Sequence, residues 1–204
     1  MIKAVMFDFG GVLAEEGFRE GLKAIGEKYG LDPEDFFVTA GELVYQTGYV
    51  TGGTDEARFW NAVREKTCIA GDDAQLRVEI LRRFVLRPEM LKLVEEIRLT
   101  GIITAILSDQ TNWLHEINRK TPFFDYFDYV FNSFEMKKGK RDPSIFRDVC
   151  SAMGLRPAEV LFIDDNGDNI NRALAEGLSA ILFRGIGSLP SEIENLLRTQ
   201  EQMS

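Results

Sequence analysis

Five short apolar runs, each meeting a polar or acidic residue near its carboxyl end, constrain this chain more than any other feature. They are Ala4–Phe9, which carries Asp8; Ile102–Leu107, running into Ser108-Asp109; Tyr129–Phe131, into Asn132-Ser133; Val160–Ile163, into Asp164-Asp165; and Ala180–Phe183, into Arg184-Gly185. Runs this short, bounded by turn residues, read as buried strands. Between the later ones the periodicity changes to that of helices. Met90, Leu93, Val94 and Ile97 repeat at i, i+3, i+4, i+7, as do Phe146, Val149, Cys150 and Met153, and Ile170, Ala173, Leu174 and Gly177. Pro88, Pro143 and Pro190 stand near helix starts, and Gly101, Gly154 and Gly177 near helix ends. Alternating strands and helices imply crossover connections and an α/β fold: a Rossmann-like parallel sheet with helices on both faces.

One stretch breaks the rhythm. From Glu15 to about Arg87 there is no strand pattern. Four helices are expected instead, over Phe18–Tyr29, Glu34–Gln46, Asp55–Lys66 and Asp73–Leu86, with a glycine-rich link at Tyr49–Gly53. That is too long for an ordinary crossover. The expected organisation is an α/β core formed by residues 1–14 and 88–204, with residues 15–87 inserted as a small helical cap domain. The alternative is an elaborate crossover. In either case the segment starts beside the Asp8 loop, so it can cover that loop. Phe36-Phe37 and Phe59-Trp60 are expected to form its interior. Tyr45, Gln46, Thr47 and Tyr49 lie where such a cap could touch a ligand.

Charge and cysteine usage narrow the function classes. The 204-residue chain has a formal net charge of −9, which argues against a nucleic acid or an anionic membrane as partner. Any anion site must therefore be built locally. Cys68 and Cys150 form neither a disulfide framework nor a metal-type cluster, so a reducing cytoplasm is expected. Asp8 interrupts the N-terminal apolar run, so it is not read as a signal peptide. No run approaches membrane-spanning length, and no internal repeat is seen.

The strand ends carry the chemistry, because α/β sheets bind ligands beyond the carboxyl ends of their strands. Asp8, the glycine pair Gly10-Gly11, Ser108, Asp109, Asp164 and Asp165 all fall there. Lys140, in Lys137-Lys138-Gly139-Lys140-Arg141-Asp142-Pro143, precedes a helix. Taken singly, Asp8 reads either as a strand cap before a turn or as a nucleophile or metal ligand. Asp164-Asp165 reads either as a helix N-terminal pair or as metal ligands. Lys140 reads either as part of a solvated basic loop or as an anion ligand. Together they are coherent. Converging carboxylates repel unless a hard cation lies between them, and all-oxygen donors suit Mg²⁺. Ser108 and Lys140 then offer donors to a phosphoryl group, and an aspartate nucleophile is established covalent catalysis. His115, the only histidine, is expected to be a surface or packing residue; Phe123-Phe124, Tyr126-Phe127 and Tyr129 are expected to pack a core edge, and for Trp113 and the run near Phe123 core packing is preferred to a partner surface.

In these four segments the chain resembles the haloacid dehalogenase superfamily, in its form with a helical cap after the first strand. The segments are Asp8-Phe9-Gly10-Gly11-Val12, Leu107-Ser108-Asp109, Lys140-Arg141-Asp142-Pro143 and Asp164-Asp165-Asn166-Gly167-Asp168-Asn169. The resemblance implies a Mg²⁺-dependent hydrolase that cleaves a small phosphomonoester, such as a sugar phosphate, through a phospho-Asp8 intermediate. It implies Asp8, the Gly10 carbonyl, Asp164 and Asp165 as metal ligands. Ser108, Asp109, Lys140 and the Gly10-Gly11 backbone would serve the phosphate, and Asn169 would orient Lys140 or the acidic pair. A monomer or homodimer is expected. The departure is Gly10, which stands where most family phosphatases carry a second aspartate for proton transfer. In this it is similar to sugar-1-phosphatases and to the phosphatase domain joined to epoxide hydrolases. Glu15, Glu16 or Asp109 could substitute for the missing acid. Two other readings stand beside the phosphatase: a dehalogenase-type hydrolase with Asp8 attacking carbon, and a non-catalytic module that binds phosphate and metal.

Overall fold

The computed structural model describes residues 1–201. Five parallel strands form one sheet: β1 (Ala4–Phe7), β2 (Ile103–Ser108), β3 (Tyr129–Asn132), β4 (Val160–Asp164) and β5 (Ser179–Leu182), in the order β3-β2-β1-β4-β5. The α/β expectation therefore holds, with each strand within two residues of its expected bounds. β1 stops at Phe7, so Asp8 and Phe9 belong to the following turn. The sheet is buried on both faces because its strand residues alternate. Val5, Phe7, Ile106, Leu161 and Ile163 join one apolar cluster, and Ala4, Met6, Ala105, Leu107, Val160 and Phe162 join another.

The chain runs outward from β1 to β2 and β3, then returns across β1 to β4. Connections therefore leave the carboxyl ends of β1 and β4 toward opposite sides, opening the crevice in which such sheets bind ligands. Helices α5 (Pro88–Leu99), α6 (Trp113–Lys120) and α10 (Leu189–Glu201) contribute to the first cluster. Helices α8 (Ser144–Ala152) and α9 (Gly167–Ala175) contribute to the second. A short helix, α7 (Ser133–Met136), follows β3.

Residues 15–87 form four helices: α1 (Gly17–Lys28), α2 (Pro33–Gln46), α3 (Glu56–Thr67) and α4 (Asp73–Leu81). Asp32, Asp55 and Asp72 cap the last three, each accepting a backbone N–H of the first turn. The fourth helix ends at Leu81, not at the expected Leu86. The reason lies in the return path. Glu15 N–H donates to the Val85 carbonyl, and Arg87 N–H donates to the Leu13 carbonyl, both at 2.9 Å. Ala14 and Leu86 thus pair as an antiparallel bridge. Residues that continue the helical apolar pattern are drawn into this extended clasp.

The four helices share the first cluster with the sheet. Trp113 is the main link. Its indole is fully buried against the rings of Phe18, Tyr49, Phe59 and Trp60, all from residues 15–87. Polar ties flank it. Tyr49 Oη donates to Asn112 Oδ1 at 2.6 Å, and Ser133 Oγ donates to the Val50 carbonyl at 2.8 Å.

Truncation of a buried aromatic of this kind typically costs about 3–5 kcal/mol. Trp113→Ala is expected to lose that much in urea denaturation. Trp113→Phe should lose far less, since it keeps ring packing and removes an indole N–H that has no partner. A second expectation concerns Glu159, which ties the start of β4 to the start of β1. Its carboxylate accepts from the Arg156 side chain, forms an ion pair with Lys3 at 2.9 Å and accepts from Arg156 N–H. Those donors, Arg156 foremost, hold its pKa down to about 2. A depressed carboxylate stabilises above the unfolded-state pKa of about 4.3, and that stabilisation disappears as pH falls through the folded value. The gap in thermal midpoint between wild type and Glu159→Gln should therefore narrow between pH about 5 and about 2.

Candidate active site

Asp8 follows β1 directly, and its backbone N–H still donates to the Ile163 carbonyl of β4 at 2.8 Å. This sheet-like contact at the strand end aims the side chain into the crevice. Asp8 Oδ1 accepts from Phe9 N–H at 2.7 Å and forms an ion pair with Lys140 Nζ at 2.8 Å. The Lys140 ammonium also donates to Asp164 Oδ2 at 2.7 Å. Lys140 itself is only 2 % exposed. A lysine so deeply buried needs paired charges around it. Burial alone would push its pKa down, but Asp164, Asp8 and Asp109 outweigh burial and hold it well above the ordinary lysine value.

Asp164, fully buried at the end of β4, is the hub of this network. Its Oδ1 accepts from Asn166 N–H at 2.7 Å, and its Oδ2 accepts from Lys140 and from Asn169 Nδ2 at 3.0 Å. Asn169 thus orients Asp164 from α9. Asp165 is more exposed and lies against the Gly10-Gly11 turn. Gly11 has φ +84°, and a Cβ there would sit 2.1 Å from Asp165 Oδ2. Only a residue without a side chain allows that approach. Oxygens of Asp8, Asp164 and Asp165 all come within 4.8 Å of one another.

Ser108, at the end of β2, faces the same pocket as Asp8 and Lys140. Asp109 is turned differently. It accepts Lys140 N–H at 2.8 Å and Tyr45 Oη at 3.1 Å, so it fixes the lysine loop and ties α2 to the core. Arg141 lies beyond Lys140 and packs over the Tyr45 ring, 3.6 Å from its centroid, while paired with Glu42 of α2. Residues of α1 and α2 thus face the strand ends across a pocket of about 590 Å³. Asp8, Gly10, Ser108, Asp109, Lys140 and Asp165 all line the pocket, while Asp164 is fully buried behind Lys140 and Gly11 lies against Asp165. His115 lies outside it, on the surface beside Glu135.

The protein groups alone leave this site short of positive charge. One buried ammonium faces three carboxylates. Burial raises the Asp8 pKa well above the usual aspartate range, Asp164 and Asp165 add to the rise, and Lys140 opposes it. Burial likewise raises that of Asp165. Hard oxygen donors with surplus negative charge fit a divalent cation such as Mg²⁺. Wall residues that strand-end reasoning does not single out include Phe18, Arg19, Phe84, Gln110, Thr111 and Arg172. No motif marks them: Phe18, Arg19 and Phe84 are placed by how the helical segment folds over the sheet, Gln110 and Thr111 by the turn after β2, and Arg172 by α9.

Comparison with known proteins agrees with this architecture. Residues 2–175 match the family model of haloacid dehalogenase-like hydrolases. Bifunctional epoxide hydrolase 2 of Rattus norvegicus is 24 % identical over 222 residues, covering 98 % of this chain and 39 % of the rat protein. The chain thus spans about two fifths of that relative. (S)-2-haloacid dehalogenase 4A of Burkholderia cepacia is 26 % identical over 104 residues, covering 50 % of this chain and 45 % of that protein. Among solved structures, the HAD family enzyme BT-2542 of Bacteroides thetaiotaomicron superposes with a TM-score of 0.74 at 27 % identity, covering 92 % of this chain and 97 % of the other. Its complex with magnesium and inorganic phosphate gives a TM-score of 0.71 at 28 % identity, over 89 % and 93 % of the two chains. With the family model spanning β1 to β4, the helical segment and all four strand-end segments, this chain belongs to the haloacid dehalogenase-like hydrolases.

Proposed function

We propose that this hydrolase is a Mg²⁺-dependent phosphomonoesterase that acts on a small phosphate ester through a phospho-Asp8 intermediate. The observation that carries the reading is the buried Lys140 ammonium, held between Asp8 and Asp164 with a third carboxylate beside them. It keeps Asp8 oriented and presents positive charge where a phosphoryl group would sit. Asp8 Oδ1 is already taken up by Phe9 N–H and Lys140. Oδ2 is therefore the oxygen left to attack phosphorus. The Ser108 hydroxyl and the Lys140 ammonium then donate to the phosphoryl oxygens.

Asp8, Asp165 and the Gly10 carbonyl would hold the metal directly. Asp164, whose oxygens are already engaged by Asn166, Lys140 and Asn169, would contact it directly or through water. Bound there, Mg²⁺ offsets the charge on the phosphoryl group so that a carboxylate can approach it. The magnesium and phosphate complex of BT-2542 supports this reading. Residues 15–87 serve as the cap: α1 and α2 supply pocket wall opposite the strand ends, which favours a small free metabolite. Unpaired Cys68 and Cys150 support a reducing, cytoplasmic setting. No described helix is long and apolar enough to cross a membrane.

Phosphate release from a panel of sugar phosphates, acyl phosphates and p-nitrophenyl phosphate is expected to require Mg²⁺ and to vanish in Asp8→Asn. Equal release by both proteins, or halide release from 2-haloacids that is indifferent to chelator, would refute the reading. Gly11→Ala is expected to stay folded, with a backbone cost of about 1–2 kcal/mol for the left-handed conformation. Because its methyl displaces the Asp165 carboxylate, the Mg²⁺ concentration for half-maximal activity should rise at least about tenfold, the equivalent of one lost charge-assisted contact.

A further inference from the structure

The chemistry proposed above requires a proton at two points. An alkyl phosphate that gives up its phosphoryl group to Asp8 leaves as an alkoxide, and the water that later attacks the acyl phosphate must lose a proton. The carboxylates of the metal cluster are otherwise engaged. Asp8 is the nucleophile, Asp164 is held by three donors and Asp165 is set against the Gly11 turn. Three further acids lie close in sequence or space. Glu15 is turned outward into an ion pair with Arg87 at 3.1 Å, its side chain 59 % exposed. Asp109 accepts from Tyr45 Oη and Lys140 N–H and so positions those groups.

Glu16 differs from both. It precedes α1 and lines the same pocket as Asp8, Ser108 and Lys140. Its Oε1 accepts Arg19 N–H at 3.3 Å, which pins the carboxylate against the first turn of α1. Its Oε2 is directed at Gly10, two residues beyond the nucleophile. A Cβ on Gly10 would lie 3.1 Å from Glu16 Oε2, and the Phe84 ring closes the other side at 3.4 Å. The carboxyl group thus occupies the volume that a side chain at position 10 would fill.

We infer that Glu16 is the proton-transfer residue of this active site, a reading that rests on the phosphatase assignment. In the first step the Asp8 Oδ2–P bond forms and the P–O bond to the leaving group breaks. The proton on Glu16 Oε2 goes to the leaving oxygen and releases an alcohol. In the second step water attacks phosphorus, the Asp8 Oδ2–P bond breaks, and the water proton passes to Glu16. The sum is phosphate ester plus water giving alcohol plus inorganic phosphate. The cap thus supplies its own catalytic residue from the point where the chain enters it.

The test uses two substrates: an alkyl phosphate, whose leaving group needs the proton, and p-nitrophenyl phosphate, whose leaving group does not. Wild type, Glu16→Gln, Glu16→Ala and the double variant Glu16→Ala/Gly10→Asp are compared with Mg²⁺ present. Both single variants should lose about 10²–10⁴-fold in kcat on the alkyl phosphate. With p-nitrophenyl phosphate they should keep a rapid burst of nitrophenol, stoichiometric with enzyme, followed by slow turnover. The double variant should regain alkyl phosphatase activity, because removing Glu16 clears the space that the new carboxylate enters. Equal losses on both substrates with no burst, or no loss at all, would overturn the assignment, as would failure of the folded double variant to recover. If Asp8→Asn abolishes release while Glu16→Gln leaves it intact, only the role of Glu16 falls. If wild type releases no phosphate, or Asp8→Asn retains it, the phosphatase reading falls and takes this one with it.

Discussion

A lysine ammonium almost wholly out of water, held between two aspartates from neighbouring strands, is the interaction on which the rest of the site depends. Removing one partner from a buried charge cluster typically costs about 3–5 kcal/mol, because the remaining charge is stranded. Lys140 is therefore tied at once to the carboxyl end of β1 through Asp8 and to that of β4 through Asp164. Its own backbone N–H is held by Asp109 after β2. Three strand ends are thus gathered around one side chain. The parallel order of the sheet makes this possible, since β1 lies between β2 and β4.

The same gathering couples the helical segment to the chemistry. Asp109, which holds the Lys140 loop, also accepts the Tyr45 hydroxyl of α2, and Arg141 stacks on that ring while paired with Glu42. The polar face of the segment is set by these contacts and its apolar face by Trp113. Ring packing and ion pairing act in concert here: displacing α2 from the strand ends would open the Tyr45–Asp109 hydrogen bond and expose the ring beneath Arg141.

Much of this was legible in the sequence, for physical reasons that differ from residue to residue. Period-2 burial in a two-sided sheet forces continuous apolar runs, so the strands announced themselves. An acid at the end of such a run has few uses, which is why Asp8, Asp164 and Asp165 could be grouped before any coordinates. Leu81 as a helix end was not legible. The residues after it keep helical periodicity, and only the backbone contacts of Glu15 and Arg87 redirect them. Glu16 was indistinguishable from Glu15 by sequence, although one carboxylate faces the pocket and the other faces solvent. That difference is set by the turn into α1 and by the place of Phe84, neither of which leaves a local signature. Arg19 was hidden for the same reason; Arg172, on α9, was hidden because only the packing of that helix beside β4 brings it to the pocket.

The clasp between Ala14 and Leu86 fixes where the helical excursion leaves the core and where it returns. With its ends so pinned, the free-energy cost of closing the excursion grows only with the logarithm of its length, about 0.6 kcal/mol for each doubling. Insertions and deletions in the links between its helices, away from the contacts with Trp113 and Asp109, therefore add little to that cost. Such an architecture separates two rates of change. The floor is held by buried charge and tolerates little, whereas the helical roof, outside Glu16, Tyr45 and the rings around Trp113, can change length at small cost in chain closure.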